Sequence, residues 1–289
     1  GMSIAENHGG LYENLRLLRE SDGKAECNLF RAMNLDYVFV KDGNDIDQLI
    51  AAFRQVKDST KPVVVHIVTE KGRGYAPAVK DKESWHWHMP FDIESGETKF
   101  QGGGEDYGNI TAKYLMEKMD SDPAVCAITS GTPTVFGFTK DRRMRYHGRF
   151  IDVGIAEEHA VAMASGIAAN GGKPVYGVYS SFIQRTYDQL QQDLCINNNP
   201  VTILTFAASV WGMNDVTHLG IFDIPMMSNI PNLVYLAPTT YEEYIAILDW
   251  STEQREHPVA IRVPGAVIHG EKPAKDYGDL NKYEVCQKG

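Results

Sequence analysis

Residues 149–188 read RFIDVGIAEEHAVAMASGIAANGGKPVYGVYSSFIQRTYD. An apolar strand pattern at 150–155 runs straight into Ala156-Glu157-Glu158-His159, and small residues at helical spacing follow. Two acids and a histidine at a strand-to-helix junction sit where α/β sheets place their ligands, in the crevice at the carboxyl ends of the strands.

The pattern continues on both sides of this stretch. Strands are expected near 124–129, 150–155, 174–179, 201–206, 233–236 and 259–263, and helices near 108–119, 157–170, 181–196 and 240–252. Such alternation predicts an α/β domain whose mostly parallel sheet is covered by helices on both faces. Ahead of it, Ile46, Leu49, Ile50, Phe53 and Val56 have helical spacing with Asn44 or Asp45 as the cap. The β-branched run VVVHIVT then reads as a buried parallel strand. That is a single helix-strand unit, too little for a sheet of its own, and residues 3–44 read as irregular and polar. Residues 71–105, with KGRGY, the turn Trp85-His86-Trp87-His88 and GGG at 102–104, read as a linker holding a functional loop. The expected division is 1–76 as a partial α/β segment, 77–105 as linker, 106–265 as the main domain and 266–289 as a polar tail. Gly1 ahead of Met2 reads as a remnant of expression.

Composition narrows the function classes. The chain has 289 residues, 43% hydrophobic and 23% charged, with a net charge of -10. That balance is globular, and its acidity argues against a nucleic-acid partner. No apolar run approaches the ~20 residues of a membrane span, and no signal segment opens the chain, so a cytoplasmic location is expected. Cys27, Cys126, Cys195 and Cys286 are scattered with no metal-ligand spacing, as in a protein of reduced thiols.

Seven segments occur together in one order: KGRGY at 71–75, a His-containing loop ending HMPFD at 88–92, SGTP at 130–133, DVGIAEEHAV at 152–161, YSSFIQRTYDQ at 179–189, THLGIFD at 217–223 and IPNLVYLAP at 230–238. In these the chain resembles the 1-deoxy-D-xylulose-5-phosphate synthase and transketolase-like family of thiamine-diphosphate enzymes. The resemblance implies the thiamine-diphosphate-binding fold, with the tail of a diphosphate-binding domain followed by a pyrimidine-binding domain. It implies a two-carbon transfer from a 2-keto donor to an aldehyde acceptor, both small molecules, and a homodimer.

Site residues are implied by the same resemblance. The glutamate matching Glu157 contacts the pyrimidine ring nitrogen opposite the amino group and favours the imino tautomer, which can deprotonate the thiazolium carbon. That task asks for a carboxyl sharing its proton in a dry pocket, and desolvation serves it while a helix N-terminus opposes it. Without the resemblance, Glu157 or Glu158 would simply complement a helix dipole; with it, Glu157 is the catalytic acid and Glu158 a residue supporting it. Tyr179 and Phe182 match aromatics bordering the pyrimidine, where a flat heterocycle needs an apolar face; core packing is their bland alternative. Arg185 could face the same cleft or pair with Asp188 along the helix. Lys71 and Tyr75 match cofactor contacts from the diphosphate side, the two glycines of KGRGY permitting close backbone approach. His86 and His218 match active-site histidines suited to proton shuttling or to binding a substrate hydroxyl or phosphate. His88 has no family counterpart, and a surface role is expected for it.

Two departures stand out. The family's Gly-Asp-Gly and Asn elements, which hold Mg²⁺ and the diphosphate, are missing, and Met2-Ser3-Ile4 resembles the residues immediately after the Asn element. No metal site is therefore expected, and weak or no cofactor binding by this chain alone. The arginines that clamp the acceptor's phosphate are replaced by Ala207 and Gly265 in FAAS at 206–209 and Arg262-Val263-Pro264-Gly265, and an acid of that loop by Asn214, next to Asp215. The family's third domain is also absent. The expectation is an enzyme piece, inactive alone and completed by a longer parent or a separate diphosphate-domain chain. The alternatives are a non-catalytic assembly subunit or half of a split transketolase with an unusual acceptor.

Overall fold

The computed structural model describes residues 7, 9–99, 104–208, 216–218, 220–271, 273 and 277. Met2, Ser3, Ile4, Ser209, Asn214, Asp215 and Cys286 lie outside them. The described residues fall into two compact units divided after residue 102.

The first unit contains α1 (Gly10–Glu20), α2 (Leu29–Ala32), β1 (Asp36–Val40), α3 (Ile46–Val56), β2 (Val63–Ile67) and α4 (Ala76–Lys80). The irregular reading of residues 3–44 is thus corrected. Leu18 is fully buried on α1, and Tyr37-Val38-Phe39-Val40 is aromatic and β-branched enough to form a strand. β1 pairs with β2 in parallel, Asp36 against Val63 through Val40 against Ile67, so the expected lone unit has a second strand and makes a two-stranded sheet. Asp45 caps α3, its carboxylate accepting from the backbone N–H groups of Asp47 and Gln48. Residues 77–99 pack within this unit, and Phe91 and Thr98 form an isolated antiparallel bridge there.

The second unit contains α5 (Tyr107–Ser121), β3 (Val125–Thr129), α6 (Lys140–Arg145), β4 (Phe150–Asp152), α7 (Glu157–Ala169) and β5 (Lys173–Tyr179). It continues through α8 (Tyr187–Gln189), β6 (Thr202–Phe206), α9 (Asp223–Met227), β7 (Val234–Leu236), α10 (Tyr241–Glu253) and β8 (Val259–Arg262). Six strands form one all-parallel sheet in the order β4-β3-β5-β6-β8-β7. From β3 the chain steps to the β4 edge and returns to β5 on the other side, so β3 and β5 flank the topological switch point.

Alternate strand residues feed two cores. Val125, Ala127, Val175, Leu204, Val259 and Ile261 pack with Leu115 and Met119 of α5 and Tyr244 and Leu248 of α10. Ile128, Tyr176, Val178, Ile203 and Ala260 pack on the other face with Ala160 and Ala164 of α7. The period of two along each strand sends successive side chains to opposite cores. At Gly177 a Cβ would stand 2.6 Å from the Phe136 ring, so only glycine fits. The helix expected at 181–196 is wound in three ways: a 3₁₀ turn (Ile183–Thr186), α8, then a π segment (Leu190–Cys195). Short α6 and α9 had no counterpart in the sequence pattern. Among the described residues Cys27, Cys126 and Cys195 are free thiols, and no helix is long and apolar enough to cross a membrane.

Candidate active site

The carboxyl ends of β3, β4, β5 and β6 carry the residues singled out from the sequence. Asp152 closes β4, and one carboxylate oxygen accepts from the backbone N–H of Gly131 and of Gly154, both at 2.9 Å. It thereby ties the SGTP turn to the turn that enters α7, a role for Asp152 that the spacing of the motifs did not reveal. Glu157 is the first residue of α7 and only 1% exposed, whereas Glu158 and His159 are exposed. Of the two acids, only Glu157 is buried. Ala156 offers no side-chain cap.

The Glu157 carboxylate meets Arg185, whose Nη1 donates to Oε2 at 3.1 Å. The alternative partner Asp188 is not the one engaged, because the 3₁₀ turn carrying Arg185 faces α7. A buried carboxylate without a partner would be costly, and a guanidinium compensates it. Beneath them, the Tyr176 hydroxyl lies 2.8 Å from Ser130 Oγ, and burial, with Glu157 and Glu158 nearby, pushes its ionisation upward.

Tyr179 and Phe182 follow at the end of β5, and His218 joins them from the 3₁₀ turn Val216–His218. The three rings are mutually edge-on: Tyr179 to Phe182 at 5.2 Å, Tyr179 to His218 at 5.3 Å and Phe182 to His218 at 5.2 Å between centroids. All three are half-buried, so they present an aromatic edge rather than a sealed core. His218 Nδ1 shares a 2.8 Å hydrogen bond with Thr217 Oγ1.

At the positions of the expected phosphate clamp, Ala207 takes the left-handed backbone (φ 52) and Gly265 is exposed. Arg262 is committed elsewhere. Its Nε donates to the fully buried Asp223 at 2.7 Å and its Nη2 to the Gly220 carbonyl at 3.1 Å. Tyr235 donates to the same Asp223 oxygen, and burial pushes the Tyr235 phenol upward.

The first unit holds the remaining candidates. Lys71 Nζ lies 2.8 Å from His86 Nδ1. Desolvation lowers the pKa of both, and for His86 the lysine charge adds to it. The Tyr75 ring packs against Trp85 at 5.0 Å and Phe91 at 5.7 Å, and its hydroxyl is buried with no hydrogen-bond partner among the described residues. The close backbone approach expected of the KGRGY glycines is made by Gly72 to the chain itself: a Cβ there would stand 2.6 Å from the Ala78 carbonyl carbon. His88 is half-buried. It stacks on Trp85 at 4.3 Å and 15°, and its Nδ1 lies 2.8 Å from the Met89 carbonyl. The Trp/His-rich loop thus has its own aromatic core, and His86 with Lys71 stands outside it. Among the described residues no group of three or more His, Cys, Asp or Glu could hold a metal ion.

A family model described as the transketolase pyrimidine-binding domain matches residues 104–267, more than half of the chain. The chain belongs to that family. A second model, described as 1-deoxy-D-xylulose-5-phosphate synthase, matches residues 16–69. The chain is 38% identical over 262 residues to a 1-deoxy-D-xylulose-5-phosphate synthase of Clostridium beijerinckii, covering 90% of this chain and 42% of that protein. It is 40% identical over 237 residues to 1-deoxy-D-xylulose-5-phosphate synthase 2 of Geobacter sulfurreducens, covering 82% and 38%. The chain therefore spans about two fifths of the length of these curated relatives. Among solved structures it is similar to a split-gene transketolase described as an inactive beta4 tetramer (24% identity, TM-score 0.46, 58% of this chain and 57% of that one). It is also similar to a transketolase of Pichia stipitis (16% identity, TM-score 0.49, 81% and 47%). The six-stranded parallel sheet, packed with helices on both faces, bears out the expected fold class.

Proposed function

We propose that this chain supplies the pyrimidine-binding half of a thiamine-diphosphate site in a two-carbon-transfer enzyme similar to 1-deoxy-D-xylulose-5-phosphate synthase. One observation carries the reading: a carboxylate 1% exposed at the first residue of α7, in the same unit as the half-buried edge-on rings of Tyr179, Phe182 and His218. These residues suit an aminopyrimidine, because a flat heterocycle takes an aromatic border and its ring nitrogen takes a carboxyl partner. When bound, thiamine diphosphate supplies a carbon nucleophile for the carbonyl of a 2-keto donor. Glu157 shares a proton with the ring nitrogen, Tyr179 and Phe182 orient the ring and exclude water, and His218 moves a proton at the substrate. Within the first unit, Tyr75 and Lys71 are the residues assigned to cofactor binding and His86 to substrate protonation.

Mg²⁺ does not fit the donor set of the described residues. The metal and diphosphate contacts come from further polypeptide, as part of a longer protein or as a separate diphosphate-domain chain in a dimeric assembly. Ala207 and Gly265 favour a second, narrower reading on the acceptor side: a transketolase-like half whose acceptor aldehyde carries no phosphate, with Arg262 held by Asp223.

The test is exchange of the cofactor's thiazolium C2 proton with solvent deuterium in the complete enzyme. Glu157→Gln is expected to slow it by about 10²–10⁴-fold. Undiminished exchange in that variant would refute the role of Glu157.

A further inference from the structure

The sequence offered Arg185 as a residue lining the cofactor cleft. Its contacts give it a different task. The side chain is half exposed and its Nη1 is spent on Oε2 of a carboxylate that is itself buried. The contact spans 28 residues of sequence and joins the 3₁₀ turn after Phe182 to the first residue of α7. A carboxylate has two oxygens, and a fixed donor on one of them sets the direction of the other. A guanidinium is suited to this, being planar, permanently charged and able to keep its remaining donors in water.

We propose that Arg185 is a positioning residue for Glu157: it occupies Oε2, fixes the rotation of the carboxyl and leaves Oε1 to meet the heterocycle. This rests on the function proposed above and assigns Arg185 to Glu157 rather than to the cofactor. The ion pair also compensates the charge at the buried end of α7 while Oε1 shares its proton with the ring nitrogen. A lysine at 185 would keep the charge and lose the planar fork, so it would hold the carboxyl less rigidly.

Two measurements test this. In the chain alone, thermal unfolding is compared for wild type, Arg185→Ala, Glu157→Gln and the double variant. Arg185→Ala is expected to lower the midpoint by roughly 2–4 °C when Glu157 is present and to leave it unchanged in the Gln background. Equal shifts in the two backgrounds would overturn the proposal. In the complete enzyme, Arg185→Ala is expected to slow C2-proton exchange by about 10²-fold while the Kd for thiamine diphosphate holds, and Arg185→Lys to recover part of the rate. A loss of affinity matching the loss of rate would make Arg185 a cofactor ligand and overturn it. If the wild-type enzyme exchanges no proton, the proposed function fails and this assignment with it; normal exchange beside an additive cycle sinks this assignment alone.

Discussion

β2 and β3 are similar five-residue runs, VVVHI and VCAIT, yet every residue of β3 is buried and every residue of β2 only half-buried. The difference lies in the surroundings. β3 has a neighbour on each edge and a core on each face, whereas β2 has one neighbour in a sheet of two. A β-branched run makes a strand; burial of that strand is conferred by cover that other elements bring. The sheet of the pyrimidine-binding unit is therefore covered on both faces, whereas the two-stranded sheet of the first unit is a thinner scaffold.

That contrast can be broken by experiment. Phe136→Ala empties a fully buried position in the six-stranded unit and is expected to cost about 3–5 kcal/mol by urea unfolding. Val65→Ala in β2 should cost about 1 kcal/mol or less; similar losses at the two sites would abolish the distinction. Arg262→Met strands the buried Asp223 carboxylate and is expected to cost about 2 kcal/mol, below the usual range for a buried pair because Arg262 is 20% exposed. The exposed pair Lys41–Asp22 of the first unit supplies the control, and Lys41→Met should leave the unfolding midpoint unchanged within error.

The smallest expected effect concerns pH. The His269 ring lies 2.6 Å from Glu105 and 3.0 Å from Glu242, and these carboxylates, Glu105 first, raise its pKa above the ordinary 6.5. A raised folded-state pKa means that the contact stabilises fully below about pH 6.5 and fades as pH rises through the folded value. His269→Ala should therefore lower the unfolding midpoint slightly at pH 5.5 and not at pH 9. A larger loss at the higher pH would reverse the sign of the linkage.

Legibility in the sequence followed the same division. Strands buried on both faces announced themselves, since VCAIT, KPVYGVY, TILTF and VAIR are continuous apolar or β-branched runs. β1 escaped because its five residues are mostly half-buried and lie in polar sequence. The continuous helix expected at 181–196 concealed its changes of winding, because apolar periodicity does not distinguish 3₁₀, α and π turns over so few residues. Glu157 was singled out by its motif. Its partner was not: Arg185 has Asp188 one turn along in sequence, and only the fold brings Glu157 closer. The stacking of His88 on Trp85 was not legible, because it depends on a loop conformation that composition does not encode.

The Tyr75 hydroxyl, buried with no hydrogen-bond partner among the described residues, has a consequence for any redesign of this protein. An unsatisfied buried hydroxyl costs about 1–3 kcal/mol, and phenylalanine would fill the same space without it. Tyr75→Phe is therefore a change that a stability-guided redesign of this chain would favour, at the expense of the cofactor contact proposed for that hydroxyl.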